Sequence, residues 1–484
     1  MDNESEVIVE FGGTEEVPVV DWVRLWKLRI AGTVHESDRY RWYALWCALA
    51  GLFASGVTIT IISVSLGNIA KDLDSSPNSL SWTLTGPILA VAFSMPLAGK
   101  LGDLRGHRTI YLAGLTVFTV MSGLTALAWD PASLTAFRVI GALGGAATGP
   151  ASLAIVMHHF VGDDRVRAIG WWQLVGAGSP VIGLAIGGPT VDAFGWRWIF
   201  VGQFVFAVGG LVAALVVLRD TGEKSTASLD VAGVATLGLG VIAILVTLQR
   251  GGSLGWSQPT VILLGAFGIA MLLVFPRIER RAVSPVLPLE FFKTRNFTAS
   301  ITAQFCANFA YMGSFIISPL LVTGHFGFTT GAAAAAMALR PLIFSTASPI
   351  SGYVAVRTGE RRMAILGMGF LILAMLSFSF GADKHSLAFV FVGLAVAGLG
   401  MGIASPSLLT VVGNTVDSRQ LGTVNAAQAM VAALGSATGI QVFSIIHEAR
   451  DGIRGFMTAY IVGAVVASAA ALSASALRST QQAG

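Results

Sequence analysis

Residues 99–108 of the chain read GKLGDLRGHR, and residues 352–361 read GYVAVRTGER. Each segment begins with a glycine, has a second glycine seven residues later and ends with an arginine, namely Gly99, Gly106 and Arg108 in the first and Gly352, Gly359 and Arg361 in the second. Glycine permits the tight turns that other residues resist. We interpret the match as an internal duplication, so that the chain consists of two similar halves.

The composition around these segments is typical of a membrane protein. Of the 484 residues, 54% are hydrophobic and 12% are charged, whereas an average soluble domain has about 25% charged residues. So little charge could not cover the surface of a soluble protein. The two cysteines, Cys47 and Cys306, both lie in apolar stretches, which argues against a disulfide framework.

A helix needs about 20 apolar residues to cross about 30 Å of hydrocarbon. Fourteen stretches meet this requirement and predict an all-α membrane protein with fourteen transmembrane helices. They lie near residues 43–68, 79–99, 109–128, 132–157, 167–190, 197–218, 230–248, 259–276, 297–321, 329–352, 363–381, 386–410, 420–446 and 455–477. The pair at 230–276 is the least polar, and we interpret it as an insertion between two bundles of six helices.

Basic residues mark one side of the predicted membrane. With both termini in the cytoplasm, 22 of the 30 Lys and Arg residues fall in cytoplasmic segments, 6 in outer loops and 2 inside spans. Cytoplasmic loops of membrane proteins carry such an excess. A miscounted span would invert every later loop and destroy this asymmetry. The sequence therefore predicts an even number of spans in the cell's inner (plasma) membrane, with both ends in the cytoplasm.

These boundaries divide the chain into five segments. They are a cytoplasmic tail at 1–42, an N-terminal six-helix bundle at 43–218, the inserted helices with flanking loops at 219–296, a C-terminal six-helix bundle at 297–477 and a cytoplasmic tail at 478–484. Within the first tail, residues 21–30 place Trp22, Leu25 and Trp26 on one helical face. This pattern fits either a short helix on the inner leaflet or an ordinary basic linker.

The segment at 99–108 resembles the loop motif between the second and third spans of the major facilitator superfamily. Fourteen spans with an inserted pair are similar to the drug:proton antiporter branch of that family. Further matches, in order along the chain, are Phe137-Arg138 with Gly144, Gly145, Pro150 and Ser152, then Gly183, Gly187 and Gly188, then residues 195–200, and finally Asn425, Gln428, Gly435 and Gly439. The resemblance implies the major facilitator fold and multidrug efflux by alternating access with proton antiport.

The resemblance also assigns a gate to the two repeated loops. The gate comprises Gly99, Asp103, Arg105, Gly106, Arg108, Gly359 and Arg361. In this fold the carboxylate of Asp103 is expected to meet the positive end of span thirteen near Gly422 and to close the inner side. A basic loop that merely sets membrane orientation is the simpler interpretation, but it leaves the glycines unexplained.

Small residues are expected where the two halves meet, because they let helices approach closely in lipid. The antiporter-like motif of span five supplies Gly183, Gly187 and Gly188, and span thirteen supplies Gly435 and Gly439. We therefore expect spans five and thirteen at the contact between the halves, where these helices either rock against each other or pack statically.

Two arginines fall inside predicted spans. Arg138 lies in the outer part of span four, and Arg340 lies near mid-depth in span ten, directly before Pro341. A central arginine costs about 2.5–3.5 kcal/mol on insertion scales. Arg138 can extend outward, and Pro341 frees a carbonyl one turn back in the same helix as a neutral partner for Arg340. The two cations favour anionic or amphipathic substrates, such as carboxylates or lipid-like molecules.

Proton coupling has no obvious carboxylate. No Asp or Glu lies in the middle of any span, and Thr58 stands where the family has its first-span aspartate. The polar candidates for lining the substrate cavity are Thr58, Thr60, Gln173, Gln304, Asn308, Asn425 and Gln428.

The sequence shows no catalytic cluster, metal-ligand set or nucleotide-binding loop. We expect a transporter rather than an enzyme, without cofactor or metal, whose partners are a small-molecule substrate, membrane lipids and protons, but not nucleic acid. Two alternatives remain open. One is an exporter or flippase-like transporter of anionic lipid-like metabolites that is not coupled to protons, and the other is a transporter-like membrane sensor or scaffold.

Overall fold

The computed structural model describes residues 36–37, 39–75, 80–219, 230–282, 285, 289–417, 420–450 and 452–478. These residues form fourteen α-helices and a short 3-10 helix at Leu289–Lys293. The α-helices are α1 (Tyr40–Asp72), α2 (Ser81–Arg105), α3 (His107–Ala126), α4 (Pro131–His159), α5 (Asp163–Phe194), α6 (Arg197–Val217), α7 (Val231–Leu254), α8 (Pro259–Glu279), α9 (Arg295–Phe326), α10 (Thr330–Thr358), α11 (Glu360–Asp383), α12 (Leu387–Gly413), α13 (Leu421–Glu448) and α14 (Ile453–Ser475). The predicted interfacial helix at 21–30 lies outside the described residues.

Twelve of these helices, α3 to α14, are long and apolar enough to cross a membrane. An all-α membrane protein is thereby confirmed, whereas the count of fourteen spans stays a prediction. Several helices are longer than the predicted spans, and α1 and α5 have 33 and 32 residues. At 1.5 Å per residue such helices are about 48–50 Å long, so they project well beyond a hydrocarbon layer of about 30 Å.

The two repeated loops end one helix and begin the next with the same backbone geometry. Gly106 lies between α2 and α3 with φ 94° and ψ 133°, and Gly359 lies between α10 and α11 with φ 85° and ψ 145°. This part of conformational space is open to glycine and strained for other residues. The duplicated glycines therefore make two equivalent turns.

The packing of the helices repeats as well. Among the first six helices, α1 packs on α4, α5 and α6, α3 packs on α4 and α6, and α2 packs on α4. Among the last six, α9 packs on α12, α13 and α14, α11 packs on α12 and α14, and α10 packs on α12. We call these two groups the N-terminal and C-terminal groups.

The two groups meet through two pairs of helices. Helix α2 contacts α13, and α5 contacts α10, while α4 and α5 make further contacts with α13 and α12. We call this contact surface the seam. Since α2 corresponds to α10 and α5 to α13 in the repeat, the two main contacts of the seam are equivalent to each other.

Helices α7 and α8 pack on each other beside the two groups, and α7 also contacts α2 and α13. Helix α8 leaves large apolar side chains exposed, among them Ile262, Leu263, Ile269 and Leu273. Such a continuous apolar surface is stable against lipid rather than water. The pair therefore lies at one edge of the seam, with α8 on the outside.

Candidate gate and substrate path

Asp103 joins the end of α2 to the start of α13. Its carboxylate accepts hydrogen bonds from the backbone N–H groups of Gly422 (2.9 Å) and Thr423 (2.8 Å) and from the hydroxyl of Thr423. The first N–H groups of a helix lack partners within the helix and form its positive end, so a buried anion is stabilised there. We call Asp103, Gly422 and Thr423 the latch, and this end of the molecule the latch end.

His107 is a second titratable group beside the latch. Its Nε2 atom lies 3.4 Å from Oδ1 of Asp103, and both side chains are buried. Its Nδ1 atom has no hydrogen-bond partner in the part of the chain that the structure describes. A proton bound by Asp103 or His107 therefore changes the charge directly beside the hydrogen bonds that cross the seam.

Glycines bring the backbones of the two groups together at the latch end. A Cβ atom on Gly99 would lie 2.5 Å from the carbonyl oxygen of Gly422, and one on Gly352 would lie 2.7 Å from the carbonyl oxygen of Val166 in α5. Neither position has room for a methyl group. The first glycine of each repeated segment therefore makes the equivalent contact with the opposite group.

The arginines of the repeated loops do not take part in the latch. Arg108 donates from Nε to the carbonyl of Leu218 (2.5 Å) and from Nη2 to that of Leu215 (3.3 Å), so it holds the end of α6 within its own group. Arg105 and Arg361 are exposed. The structure records no hydrogen bond or ion pair for either of them among the described residues.

Arg165 makes a second polar contact across the seam, and sequence reasoning did not single it out. Its guanidinium donates to the carbonyls of Met157 (2.8 Å) and Phe160 (2.9 Å) at the end of α4, and to the carbonyl of Gly413 (3.2 Å) and the side-chain oxygen of Asn414 at the end of α12. Cations are favoured at helix C-termini. The sequence identified this residue merely as one basic residue of a predicted cytoplasmic loop.

Helix α13 does lie at the seam, but Gly435 and Gly439 pack within the C-terminal group. A Cβ atom on Gly435 or Gly439 would lie 2.4 or 2.1 Å from the carbonyl oxygens of Phe305 and Phe309 in α9. Helix α9 belongs to the same C-terminal group. The part of α13 that meets the N-terminal group is instead its first turn, around Gly422.

In α5, two glycines meet α10 of the other group: a Cβ atom on Gly178 would lie 3.4 Å from the Cβ atom of Ser345, and Gly170 lies closer still. A Cβ atom there would lie 2.7 Å from the carbonyl oxygen of Ser348 in α10. Gly183 and Gly187 are buried, and the surroundings of Gly188 lie outside the described part of the helix. The role of the antiporter-like motif stays a prediction.

Arg340 is fully buried and is held by neutral groups of α9. Its guanidinium donates to the carbonyl of Tyr311 and to the hydroxyl of Ser314 (3.1 Å), and its central carbon lies 3.5 Å from the centroid of the Tyr311 ring. A cation over an aromatic face is stabilised by the ring quadrupole. The expectation that Arg340 binds a carbonyl of its own helix is therefore wrong, because α9 packs close enough to supply the carbonyl of Tyr311 instead.

Arg138 is held in a similar way between helices of the N-terminal group. Its Nε donates to the carbonyl of Thr83 in α2 (2.8 Å), and its guanidinium carbon lies 6.0 Å from the centroid of the Phe200 ring. Within the described residues, neither Arg138 nor Arg340 forms an ion pair with a carboxylate. Two cations thus lie among helices without a neutralising side chain.

One predicted cavity residue bridges the seam directly. Gln173 of α5 donates from its side-chain nitrogen to the hydroxyl of Ser405 in α12. The side chains of Thr58 and Thr60, also predicted to line the cavity, lie outside the described residues. The structure therefore leaves their position in the cavity as a prediction.

The remaining predicted cavity residues lie on α9 and α13. In α9, Asn308 donates to the carbonyl of Gln304 within the helix (2.8 Å). In α13, Asn425 and Gln428 are 3% and 1% exposed and follow the latch residues within two turns. Of the predicted cavity residues, Gln173 thus bridges the seam, whereas the others that the structure describes lie on α9 and α13 of the C-terminal group.

Known proteins share this architecture. Residues 48–440 match the model of the Major Facilitator Superfamily. The multidrug transporter protein MdtP of Bacillus subtilis is 27% identical over 413 residues, which are 84% of this chain and 75% of that protein. The tetracenomycin C resistance and export protein of Streptomyces glaucescens is 27% identical over 419 residues, which are 85% of this chain and 77% of that protein.

Two solved structures resemble this one in fold. The human organic anion transporter MFSD10 has a TM-score of 0.67 at 15% sequence identity, with 90% of this chain and 99% of that chain covered. The proton:xylose symporter XylE has a TM-score of 0.64 at 13% sequence identity, with 90% of this chain and 95% of that chain covered.

Proposed function

Because the chain belongs to the major facilitator superfamily, we propose that it exports drug-like or amphipathic small molecules by alternating access, in exchange for protons. Family membership makes it a multi-pass membrane transporter of small molecules and not an enzyme. The names of its relatives, which include multidrug transporter protein MdtP and multidrug resistance protein 3, support drug-like substrates.

The latch is the observation that carries the proposal. Alternating access needs contacts that close one end of the path in one state and break in the other. The contacts of Asp103 with α13 and of Arg165 with α12 join side chains to helix ends across the seam. Water can replace such bonds when the two groups separate. The charge asymmetry of the sequence supports a cytoplasmic latch end, so that this state is closed towards the cytoplasm.

The position of Asp103 and His107 supports proton antiport. An ionised carboxylate accepts all three hydrogen bonds of the latch, whereas a protonated carboxyl group loses its charge and much of its attraction to the helix end. Proton binding at Asp103 therefore weakens the closed latch. A proton taken up here favours opening, and its release favours closure, as an exchange of substrate for protons requires.

The two intramembrane arginines favour a second candidate, an uncoupled exporter or flippase-like transporter of anionic lipid-like molecules. Arg138 and Arg340 lack a carboxylate partner in the described residues, so an anionic substrate would find uncompensated positive charge. The test is the Arg340→Ala variant, which should reduce transport of anionic compounds more than of cationic ones. Equal transport of both classes by parent and variant contradicts this candidate.

Flux in proteoliposomes decides between the two. Tetraphenylphosphonium serves as the cationic probe and carboxyfluorescein as the anionic one, each with and without an imposed pH gradient. Flux that rises with the gradient supports proton antiport, and flux of the anionic probe without a gradient supports the second candidate. Binding without flux under every condition would favour a sensor or scaffold and contradict both.

A further inference from the structure

Two buried amides on α13 have no hydrogen-bond partner in the part of the chain that the structure describes. Asn425 and Gln428 are 3% and 1% exposed, and neither the oxygen nor the nitrogen of either amide is bonded within the described residues. An unmade hydrogen bond of a buried polar group costs about 1–3 kcal/mol. Leucine or methionine would fill the same volume without this cost. The amides therefore indicate a partner outside the chain.

Both amides share one face of α13 with a residue that lies at the seam. Leu421, Asn425 and Gln428 are spaced by four and three residues, so they share one face of α13. Leu421 packs in one cluster with Leu409 of α12 and with Met157 of α4, which belongs to the other group. The amides continue this face from the latch towards the middle of the molecule.

We propose that Asn425 and Gln428 bind a neutral group of the exported molecule that has a hydrogen-bond donor next to an acceptor, such as a carboxamide. The proposal rests on the export function proposed above. Each of the two amides offers an oxygen acceptor and two N–H donors and carries no charge. A carboxamide matches both kinds of group, an ester offers acceptors alone, and tetraphenylphosphonium offers neither.

The pair lies close to the latch. Asn425 follows two residues after Thr423, whose backbone N–H and hydroxyl bind Asp103. In the proposed transport cycle, opening of the latch separates α2 from the first turn of α13, and the two amides follow within two turns of the same helix. A molecule that enters from the latch end would then reach Asn425 and Gln428.

Equilibrium binding to the purified full-length protein tests the pair, with tryptophan fluorescence as the signal. Anthraquinone-2-carboxamide and methyl anthraquinone-2-carboxylate are the matched probes, because the ester lacks the N–H donors of the carboxamide. We expect the parent protein to bind the carboxamide about tenfold more tightly than the ester, which corresponds to about 1.4 kcal/mol. The double variant Asn425→Leu, Gln428→Met should reduce this ratio to about one.

Gln441→Met is the control, since Gln441 is a half-buried residue of the same helix, far from the latch. This variant should keep the tenfold preference for the carboxamide over the ester. The double variant should melt at the parent's temperature or above it, because it removes unpaired polar groups. If it does not fold, the two single variants are measured instead, and each should lower the ratio about threefold.

Equal binding of the two probes by the parent, or an unchanged ratio in the Asn425 and Gln428 variants, overturns the proposal. Failure of the export function is a separate result. It would appear as absent flux of tetraphenylphosphonium by the parent protein, whatever the ratio of the two binding constants.

Discussion

Replacement of Asp103 by asparagine tests the latch without changing its shape. One side-chain oxygen becomes an NH2 group, which cannot accept the hydrogen bonds that the carboxylate takes from α13. Hydrogen bonds to a charged group are worth about 1.5–3 kcal/mol each, and the charge at the helix N-terminus is lost as well. A loss of about 3 kcal/mol shifts the equilibrium between the closed and open latch end roughly 100-fold towards the open state.

A single cysteine at the seam reports this shift. Ala154 is fully buried and packs in the seam cluster with Leu409 and Leu421. The variant Ala154→Cys, with Cys47 and Cys306 replaced by alanine, is labelled in inside-out vesicles by a maleimide that cannot cross the membrane. The labelling rate follows the open fraction, so Asp103→Asn should raise it by up to roughly 100-fold.

Two further variants calibrate the experiment. Thr423→Val removes only the hydroxyl donor of the latch, so a loss of about 1.5 kcal/mol and a roughly tenfold increase in the labelling rate are expected. Asp130→Asn is the control, because Asp130 also accepts a backbone N–H at a helix start, that of Ser133 (2.6 Å), but within its own helix. The reasoning is refuted if Asp103→Asn is labelled at the parent's rate, or if Asp130→Asn raises the rate equally.

Three other substitutions test the backbone and the second seam contact. Gly359→Ala puts a Cβ on a residue at φ 85°. This should cost about 1–3 kcal/mol and lower the melting temperature in detergent. Gly202→Ala is the control, because a Cβ there meets open space and should leave the melting temperature unchanged. Gly439→Ala would place a methyl group 2.1 Å from a carbonyl oxygen of α9 and should reduce the yield of monodisperse protein on size exclusion, while Gly324→Ala should be tolerated. Arg165→Gln removes the cation between the ends of α4 and α12 and should raise labelling of the same seam cysteine roughly tenfold. An unchanged rate would show that this arginine does not hold the seam.

Features that depend on local sequence could be predicted. The spacing of Gly99 and Gly106 from Gly352 and Gly359 is visible without any tertiary information, and it corresponds to equivalent turns and equivalent close contacts in the structure. The approach of Asp103 to the start of α13 was expected from the family resemblance, because a free helix N-terminus attracts an anion wherever the fold brings one near.

Features that depend on which helices are neighbours could not be predicted. The partners of Arg340 lie on α9, about 26–29 residues away in sequence, and nothing in the local pattern distinguishes them from the carbonyl freed by Pro341. In the same way, Gly435 could line either side of α13, and the sequence does not reveal that α9 occupies that side. Helical periodicity defines a face, but packing decides what covers it.

The duplication leaves the two main seam contacts with unequal charge. In the repeat Asp103 corresponds to Val356, so the contact of α10 with α5 lacks the carboxylate that the contact of α2 with α13 contains. Both contacts share the close backbone approach at Gly99 and Gly352. Under the proposed proton antiport, protonation of Asp103 would loosen the contact of α2 with α13 and leave the equivalent contact of α10 with α5 in place. The movement would then be directed, because one contact separates while the other acts as its pivot.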